Sequence, residues 1–529
     1  MAASKTAVDM AAAMVQSPVA LSDWLLVAPT LLTMLGGSIA LMLRSKTRLQ
    51  PVIGITTILL VVVSNMALLD HVLRGGPIAM VMGSWLPPFG IAFTADAMGV
   101  VFALAASIVA LCVAIYATSS VAEQERRYGF YPFLIMLLCG VSGSFLTGDI
   151  FNLYVWFEVM LISSFGMIVL GNEKPQLDGA VKYTLLNLVA TTLFLLTTGL
   201  LYGLVGTLNM ADIAQKVKEL PSVTPILVLS GMYFFAFAMK AAAFPVNFWL
   251  PASYHTPRIV VAAVFAGLLT KVGVYALLRV MLLILPEGRE WLTPLITVIA
   301  IVTMLSGAFG ALAQTDVRRI FAYMVIAGVG SMLAGLAVGS QVAVAGSIFY
   351  AVHSIFAMTS LFLLVGYMKV LGGSYSLREL GGLYSKSPLL AAIALVLLLA
   401  GAGLPPFSGF WPKVLLVEGS LENGQGWLAA TILVTSVLQA ITVGRVWIFC
   451  FWRGGPEGTP DGTLVLNKDG SAVLASAMPL SVLVSLLALT SLVVLIGLQP
   501  EFLMDAAHKG AMSLMNPSSY IGAVFGGGS

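Results

Sequence analysis

Runs of mostly apolar residues recur along the chain from Trp24 to Leu498, each separated from the next by a short interval rich in Gly, Pro, Ser or charge. A helix needs about 20 such residues to cross the hydrocarbon core, so the pattern predicts about fourteen membrane-spanning helices. The first falls near Trp24 to Leu43 and the last near Met478 to Leu498. The longest polar intervals, Gly75 to Asp96, Gly206 to Pro225, Val370 to Pro388 and Gly454 to Ala472, are loop-sized. They read as connections, and no soluble domain is left over.

Composition agrees with this all-α integral membrane reading. Of 529 residues, 59% are hydrophobic and 9% charged, and the mean hydropathy is +1.00, too apolar for a water-soluble surface. A net charge of +3 offers nothing to a nucleic acid, but the placement of the charges is informative. If the chain starts outside, the loops carrying "RSKTR", Arg126–Arg127, Lys174, Arg318–Arg319, Arg378, Lys386 and Lys468 share one side. The positive-inside rule makes that side cytoplasmic and puts both termini on the outer side of a cell membrane. Residues 1–24 lack a continuous apolar core, so the first span, not a cleaved signal peptide, is read as directing insertion.

The cysteines, Cys112, Cys139 and Cys450, lie singly in apolar runs and read as small buried hydrophobes. The histidines are scattered, no metal-ligand pair shows helical spacing, and neither a phosphate loop nor a dinucleotide-binding turn is present. No cofactor is expected, and the residues leave a metal site undefined. A transporter subunit fits these features better than an enzyme.

Five residues fall well inside apolar runs: Glu158 in "LYVWFEVMLISSF", Lys240 in "FFAFAMKAAAFPVNFWLP", Lys271 in "FAGLLTKVGVYALL", His353 in "SIFYAVHSIFAMTSLFLL" and Lys413 in "LPPFSGFWPKVLL". A charge at mid-bilayer costs at least roughly 2.5 to 3.5 kcal/mol on insertion scales, so each needs a reason. Any one of them could serve a structural ion pair, but a single Glu cannot partner three lysines. A desolvated lysine holds its proton loosely, and a nearby carboxylate tightens that hold, which is the chemistry of a proton relay. A pair between Glu158 and one of these lysines is expected on this basis. Arg279 and Arg445 lie nearer the ends of their runs and read as snorkelling cations. Asp149 reads as a helix cap, and Glu418 as a weak candidate for an exit-side carboxylate.

Proline marks the same places. Pro245 cannot donate to the carbonyl of Ala241, so the helix is expected to break beside Lys240. Near Lys413, Pro405, Pro406 and Pro412 interrupt a second run among glycines. Two broken helices, each with a lysine, are what a transporter with two related halves shows.

With these residues placed, the chain resembles the antiporter-like subunits shared by respiratory complex I and the multisubunit Mrp-type sodium/proton antiporters. The resemblance covers about Gly83 to Arg453 and rests on "DIFNLYVWFEVM" with Glu158, "AMKAAAFPVNFWLP" with Lys240, "LLTKVGVYALLR" with Lys271 and "GLPPFSGFWPK" with Lys413. The hairpin "GSWLPPFGIAFTADAMG" and the length resemble the D-type member of the Mrp set. This resemblance implies two inverted five-helix repeats, with spans 7 and 12 broken. It divides the chain into N-terminal spans and an outer hairpin (24–128), a first repeat (129–285), a second repeat (291–453) and a last span with a short tail (454–529). It also implies a proton-translocating role for Glu158, Lys240, Lys271, His353 and Lys413, with Glu158 paired to Lys240, with other small hydrophobic antiporter subunits as partners, lipid around them, and protons and sodium as cargo. A proton-pumping subunit of a complex I-like or membrane-bound hydrogenase assembly is the alternative reading. No long helix is read in the tail after Leu498.

Overall fold

A computed structural model describes residues 14–15, 23–455 and 478–526. Lys468, most of the 454–472 loop and most of the N-terminal segment lie outside the described residues. The chain opens with α1 (Trp24–Met42) and α2 (Gln50–Gly75), then a two-stranded antiparallel hairpin, β1 (Ile78–Val81) and β2 (Ala92–Ala95), and α3 (Ala97–Ser120). A short α4 (Glu123–Tyr128) leads into α5 (Phe130–Leu146), α6 (Ile150–Ile168), α7 (Lys174–Val205), the short α8 (Met210–Lys216), α9 (Thr224–Ala241), α10 (Trp249–Tyr254) and α11 (Ile259–Leu278). There follow α12 (Pro286–Ala313), α13 (Val317–Val338), α14 (Gln341–Gly372), the short α15 (Leu383–Lys386), α16 (Pro388–Ala402), α17 (Phe410–Glu422) and α18 (Gly426–Trp447). The last elements are α19 (Leu480–Leu498), α20 (Glu501–Met515) and α21 (Ser518–Gly526).

Among the described residues twelve helices are long and apolar enough to cross a membrane. Two shorter apolar helices, α5 and α16, stand where the sequence pattern places further crossings. The fold is all-α apart from the hairpin.

Two sets of five helices repeat one plan, α5 to α11 and α12 to α18. In each, an aspartate caps the second helix: Asp149 accepts from the Asn152 amide at 2.8 Å, and Asp316 from the Arg318 amide at 2.9 Å. Each third helix, α7 and α14, has 32 residues. Each fourth helix is broken, and each fifth ends in a π-helical turn, Arg279–Ile284 or Ile448–Trp452. Five crossings are an odd number, so the second repeat enters from the opposite face and runs inverted to the first.

The two breaks share their local conformation. α9 stops at a left-handed residue, Ala242 (φ 62°), and α16 at Gly403 (φ 78°). A cis prolyl bond follows at the same spacing, Phe244–Pro245 and Pro405–Pro406, and the helix restarts at Trp249 or Phe410. The first break thus begins at Ala242, ahead of the proline. Pro412, expected to interrupt the second run, lies inside the first turn of α17, where a missing N–H costs nothing.

The tail is more than an end. α20 and α21 fold back onto the body, α20 burying Leu503, Ala506, Ala507, Ala511 and Leu514. α20 packs on α3 and α14, and Tyr520 of α21 hydrogen bonds Thr94 of β2 at 3.0 Å. Met14 bridges Trp85 in the hairpin loop, so both described ends of the chain lie on the hairpin face. The basic loops gather on the opposite face, tied by Thr47 to Glu123 (2.7 Å), Arg258 to Glu125 (2.5 Å) and Arg319 to His255 (3.0 Å). All three cysteines are buried free thiols.

Candidate functional site

The centre of the molecule is closed to lipid. α11, α13 and α14 are almost wholly enclosed by other helices, so charges on them face protein. α11 carries Lys271, 0% exposed, and α14 carries His353, 2% exposed. Lys271 donates from Nζ to the Ala266 carbonyl at 2.6 Å, a backbone acceptor on its own helix. His353 joins Nδ1 to the Ser408 hydroxyl at 2.8 Å, so a residue in the second helix break anchors the imidazole.

Small residues create the closeness. A side chain on Gly273 of α11 would come within 2.7 Å of the Ala241 amide, so glycine lets the end of α9, with Lys240, lie directly against α11. A side chain on Gly409 would meet His353 Nε2 at 2.9 Å.

The two lysines at the breaks sit on opposite sides of them. Lys240 is in the last turn of α9, before the break, whereas Lys413 is in the first turn of α17, after it. Lys413 reaches back to donate to the Ala402 carbonyl at 2.6 Å, and also to Gln439 Oε1 of α18 at 2.8 Å. Ala402 ends α16, so the ammonium rests on the negative end of a helix dipole, a favourable place for a cation. Gln439 and Ser408 carry little signal in the sequence; both are uncharged polar residues, and the visible sign is only a glutamine in the apolar run "ILVTSVLQAITV".

Lys240 differs from the other lysines. It is buried, its Nζ makes no hydrogen bond among the described residues, and the Phe157 ring faces it, 5.7 Å from Nζ to centroid. The expected Glu158–Lys240 ion pair is not formed: among the described residues no salt bridge joins them, and Glu158 is only half-buried. The carboxylate still acts on the ammonium across that gap. Phe157, the neighbour of Glu158 on α6, takes the position facing the ammonium.

Three other expectations change. Arg279 does not snorkel; it is 1% exposed and bound to Asp96, a partner that the sequence pattern places in the hairpin. Arg445 does not snorkel either, because its guanidinium donates to the carbonyls of Leu312 and Gln314 and closes the C-terminal end of α12. A lysine there would forfeit the forked contact. Glu418 is exposed on α17 and stands apart from the buried chain. Asp149, by contrast, is the expected helix cap.

His255 stands on the basic face. It accepts from Arg319 on Nε2 (3.0 Å), leaving Nδ1–H to donate to the Pro251 carbonyl (2.8 Å). Burial first, and the Arg319 charge second, push its imidazole below the ordinary value, so it is neutral.

Gly403 gives a direct check on this geometry. Its left-handed backbone disfavours any side chain, and a Cβ there would fall 2.7 Å from Cδ, Cε and Nζ of Lys413. Gly403→Ala is therefore expected to push the lysine off Ala402 and lose most transport, while Ala242→Gly, at the matching position of the first break, is expected to be tolerated. Transport by the two variants in everted vesicles, normalised to assembled complex, checks the pair.

This geometry, with buried cations strung across two inverted broken-helix repeats, can be set beside known proteins. The family described as NADH:quinone oxidoreductase/Mrp antiporter, transmembrane, matches residues 147–439, which hold all five expected site residues. A protein of Alkalihalophilus pseudofirmus, named as the D subunit of a Na(+)/H(+) antiporter, is 35% identical over 500 residues, covering 94% of this chain and 99% of the relative. The chain belongs to the NADH:quinone oxidoreductase/Mrp antiporter family, among its D-type members. Solved structures agree with this antiporter-like subunit in shape. A chain from the Mrp complex of a Dietzia species superposes with a TM-score of 0.86 at 28% identity, covering 95% of this chain and 99% of its own. A chain from an archaeal respiratory membrane complex, the membrane-bound sulfane sulfur reductase, also gives 0.86, at 26% identity, covering 94% and 100%. The antiporter-like subunit is thus matched over nearly its whole length.

Proposed function

We propose that this chain is a proton-translocating subunit of a multisubunit sodium/proton antiporter, a secondary active transporter in the cell membrane, with its hairpin face and both termini on the outer side. The observation that carries the proposal is the buried series Lys240, Lys271, His353 and Lys413, spread over both repeats, the last three held by backbone carbonyls and neutral polar groups. Buried lysines of this kind cost free energy that a purely structural core would avoid. The names of the relatives supply the cargo, and the basic loops on the face opposite the hairpin supply the orientation.

In this reading a proton reaches Lys271 from the basic face and passes to Lys413 by way of water and His353. Lys240 supplies the control. With no hydrogen-bond partner among the described residues, its ammonium is held by Glu158 and the Phe157 ring alone, so a small movement of α6 or α9 changes its charge state and, through α11, the readiness of Lys271 to take a proton. Companion hydrophobic subunits would complete the assembly. No cofactor has a part in this scheme.

Glu158→Gln tests the reading. The residue is half-buried and makes no ion pair among the described residues, so the complex is expected to assemble, yet sodium-driven collapse of a proton gradient in everted vesicles should be largely lost. Assembled complex with near wild-type antiport would overturn it. A gradient formed by electron transfer, and indifferent to sodium, would favour the complex I-like alternative.

A further inference from the structure

α11 is treated very differently at its two ends. Where it begins, on the basic face, a cavity of about 700 Å³ opens beside Tyr116, Arg258, Ile259, Gly366 and Lys369. Where it ends, on the hairpin face, the side-chain polar atoms gathered around Arg279 are engaged by one another, all but Arg279 Nε among the described residues. Arg279 lies eight residues after Lys271, about 12 Å along the helix at 1.5 Å per residue. Its guanidinium grips Asp96 with two bonds, Nη1 to Oδ2 at 2.7 Å and Nη2 to Oδ1 at 2.8 Å, and Nη2 also donates to the Tyr275 hydroxyl at 3.0 Å. Asp96 accepts further from the Gly99 amide at 2.9 Å and the Ser513 hydroxyl at 3.4 Å. Tyr275 passes its own hydrogen to the Phe145 carbonyl at 2.8 Å.

Two layers complete the closure. Toward Lys271, the rings of Phe102, Phe145 and Tyr275 pack on one another with centroids 4.9 to 5.8 Å apart, leaving an apolar collar. Toward the surface, Tyr520 of α21 lies over the guanidinium, 5.3 Å from its centroid to Cζ, and ties itself to Thr94. Outside this cluster a cavity of about 420 Å³ comes up to Ala97 and Ser513 and stops there. Asp96, Tyr275, Arg279 and Tyr520 are each 1% exposed.

We propose that Asp96, Arg279, Tyr275 and Tyr520 form a seal that denies Lys271 access to the hairpin face, making proton delivery to that lysine one-sided. The inference rests on the proton-translocating reading given above and extends it, because a relay lysine open to both faces would leak. The bidentate pair and the collar leave Arg279 Nε as the single unengaged side-chain polar atom of the cluster among the described residues, too little to carry a chain of water across it. These residues do not carry the proton; they set the side from which it comes. They also explain why the tail folds back, since α20 supplies Ser513 and α21 supplies Tyr520.

The test uses the complete complex in liposomes, without sodium, and reads passive proton influx under an imposed potassium diffusion potential. Asp96→Ala with Arg279→Ala removes both charges together, so no lone buried charge remains, and leaves a void lined by hydroxyls that joins the outer cavity and takes up water. Influx is expected to rise several-fold over wild type, with antiport falling in step. If the double variant fails to assemble, Tyr520→Ala decides, since it opens the lid and leaves α3 and α11 in place; it too is expected to leak. Assembled variants as proton-tight as wild type would overturn the seal and leave a structural ion pair only. Because the leak is read without sodium, absence of antiport in the wild-type complex would strike the functional reading separately.

Discussion

A complex carrying Lys413→Arg is expected to assemble normally and to lose most of its proton-coupled transport. The ammonium of Lys413 rests between the Ala402 carbonyl, at the end of α16, and Gln439 of α18. An arginine can satisfy both acceptors and complements the helix end equally well, so the position remains occupied by a cation. What changes is exchange. A guanidinium, with a pKa above about 12, stays charged inside proteins, whereas a desolvated lysine can release its proton and take another. Charge kept and transport lost would mean that the proton stops on this residue. The larger fork is a confounder, and Lys413→Gln helps to separate the cases: it fits the space, keeps a donor and carries no charge, and it should fail as well. If Lys413→Arg transports at near wild-type rate, the lysine is a fixed electrostatic gate and the proton passes by water and His353 without stopping there.

The buried series is legible in the sequence because cost makes it so. A lysine or histidine inside an apolar run stands out whatever its partners, and Lys240, Lys271, His353 and Lys413 are all buried. The helix breaks are legible from proline and glycine chemistry, although the actual stop at Ala242 and Gly403 depends on left-handed residues that no residue type announces in the first case. The partners are not legible. Asp96 and Arg279 are 183 residues apart, and Asp96 sits where a hairpin meets a helix, a place where an aspartate is expected as a cap whether or not it has a second task. Ser408 and Gln439 carry no charge and so raise no cost to notice. The missing Glu158–Lys240 contact shows the reverse error: opposite charges on neighbouring spans suggest a pair, but Phe157 faces the ammonium instead. The tail looks short by length alone, and its amphipathic face becomes meaningful only once α3 and α14 are there to receive it.

Lys271→Met is expected to give the sharpest separation of stability from function. Lys271 is completely buried, and its ammonium has one hydrogen bond, to a carbonyl of its own helix. Methionine fills nearly the same volume without a charge, which relieves a burial cost of roughly 2.5 to 3.5 kcal/mol on insertion scales. A residue kept only for structure would therefore be improved by the change. A residue kept for proton transfer cannot be replaced this way, because methionine has nothing to protonate and the step between the basic-face cavity and His353 has no carrier.

The most direct measurement is sodium-driven collapse of a proton gradient in everted vesicles that hold the Lys271→Met complex, with assembly and thermal unfolding followed on the same preparation. The account predicts a complex at least as resistant to unfolding as wild type in which sodium no longer collapses the gradient. Near wild-type antiport in that complex would contradict it.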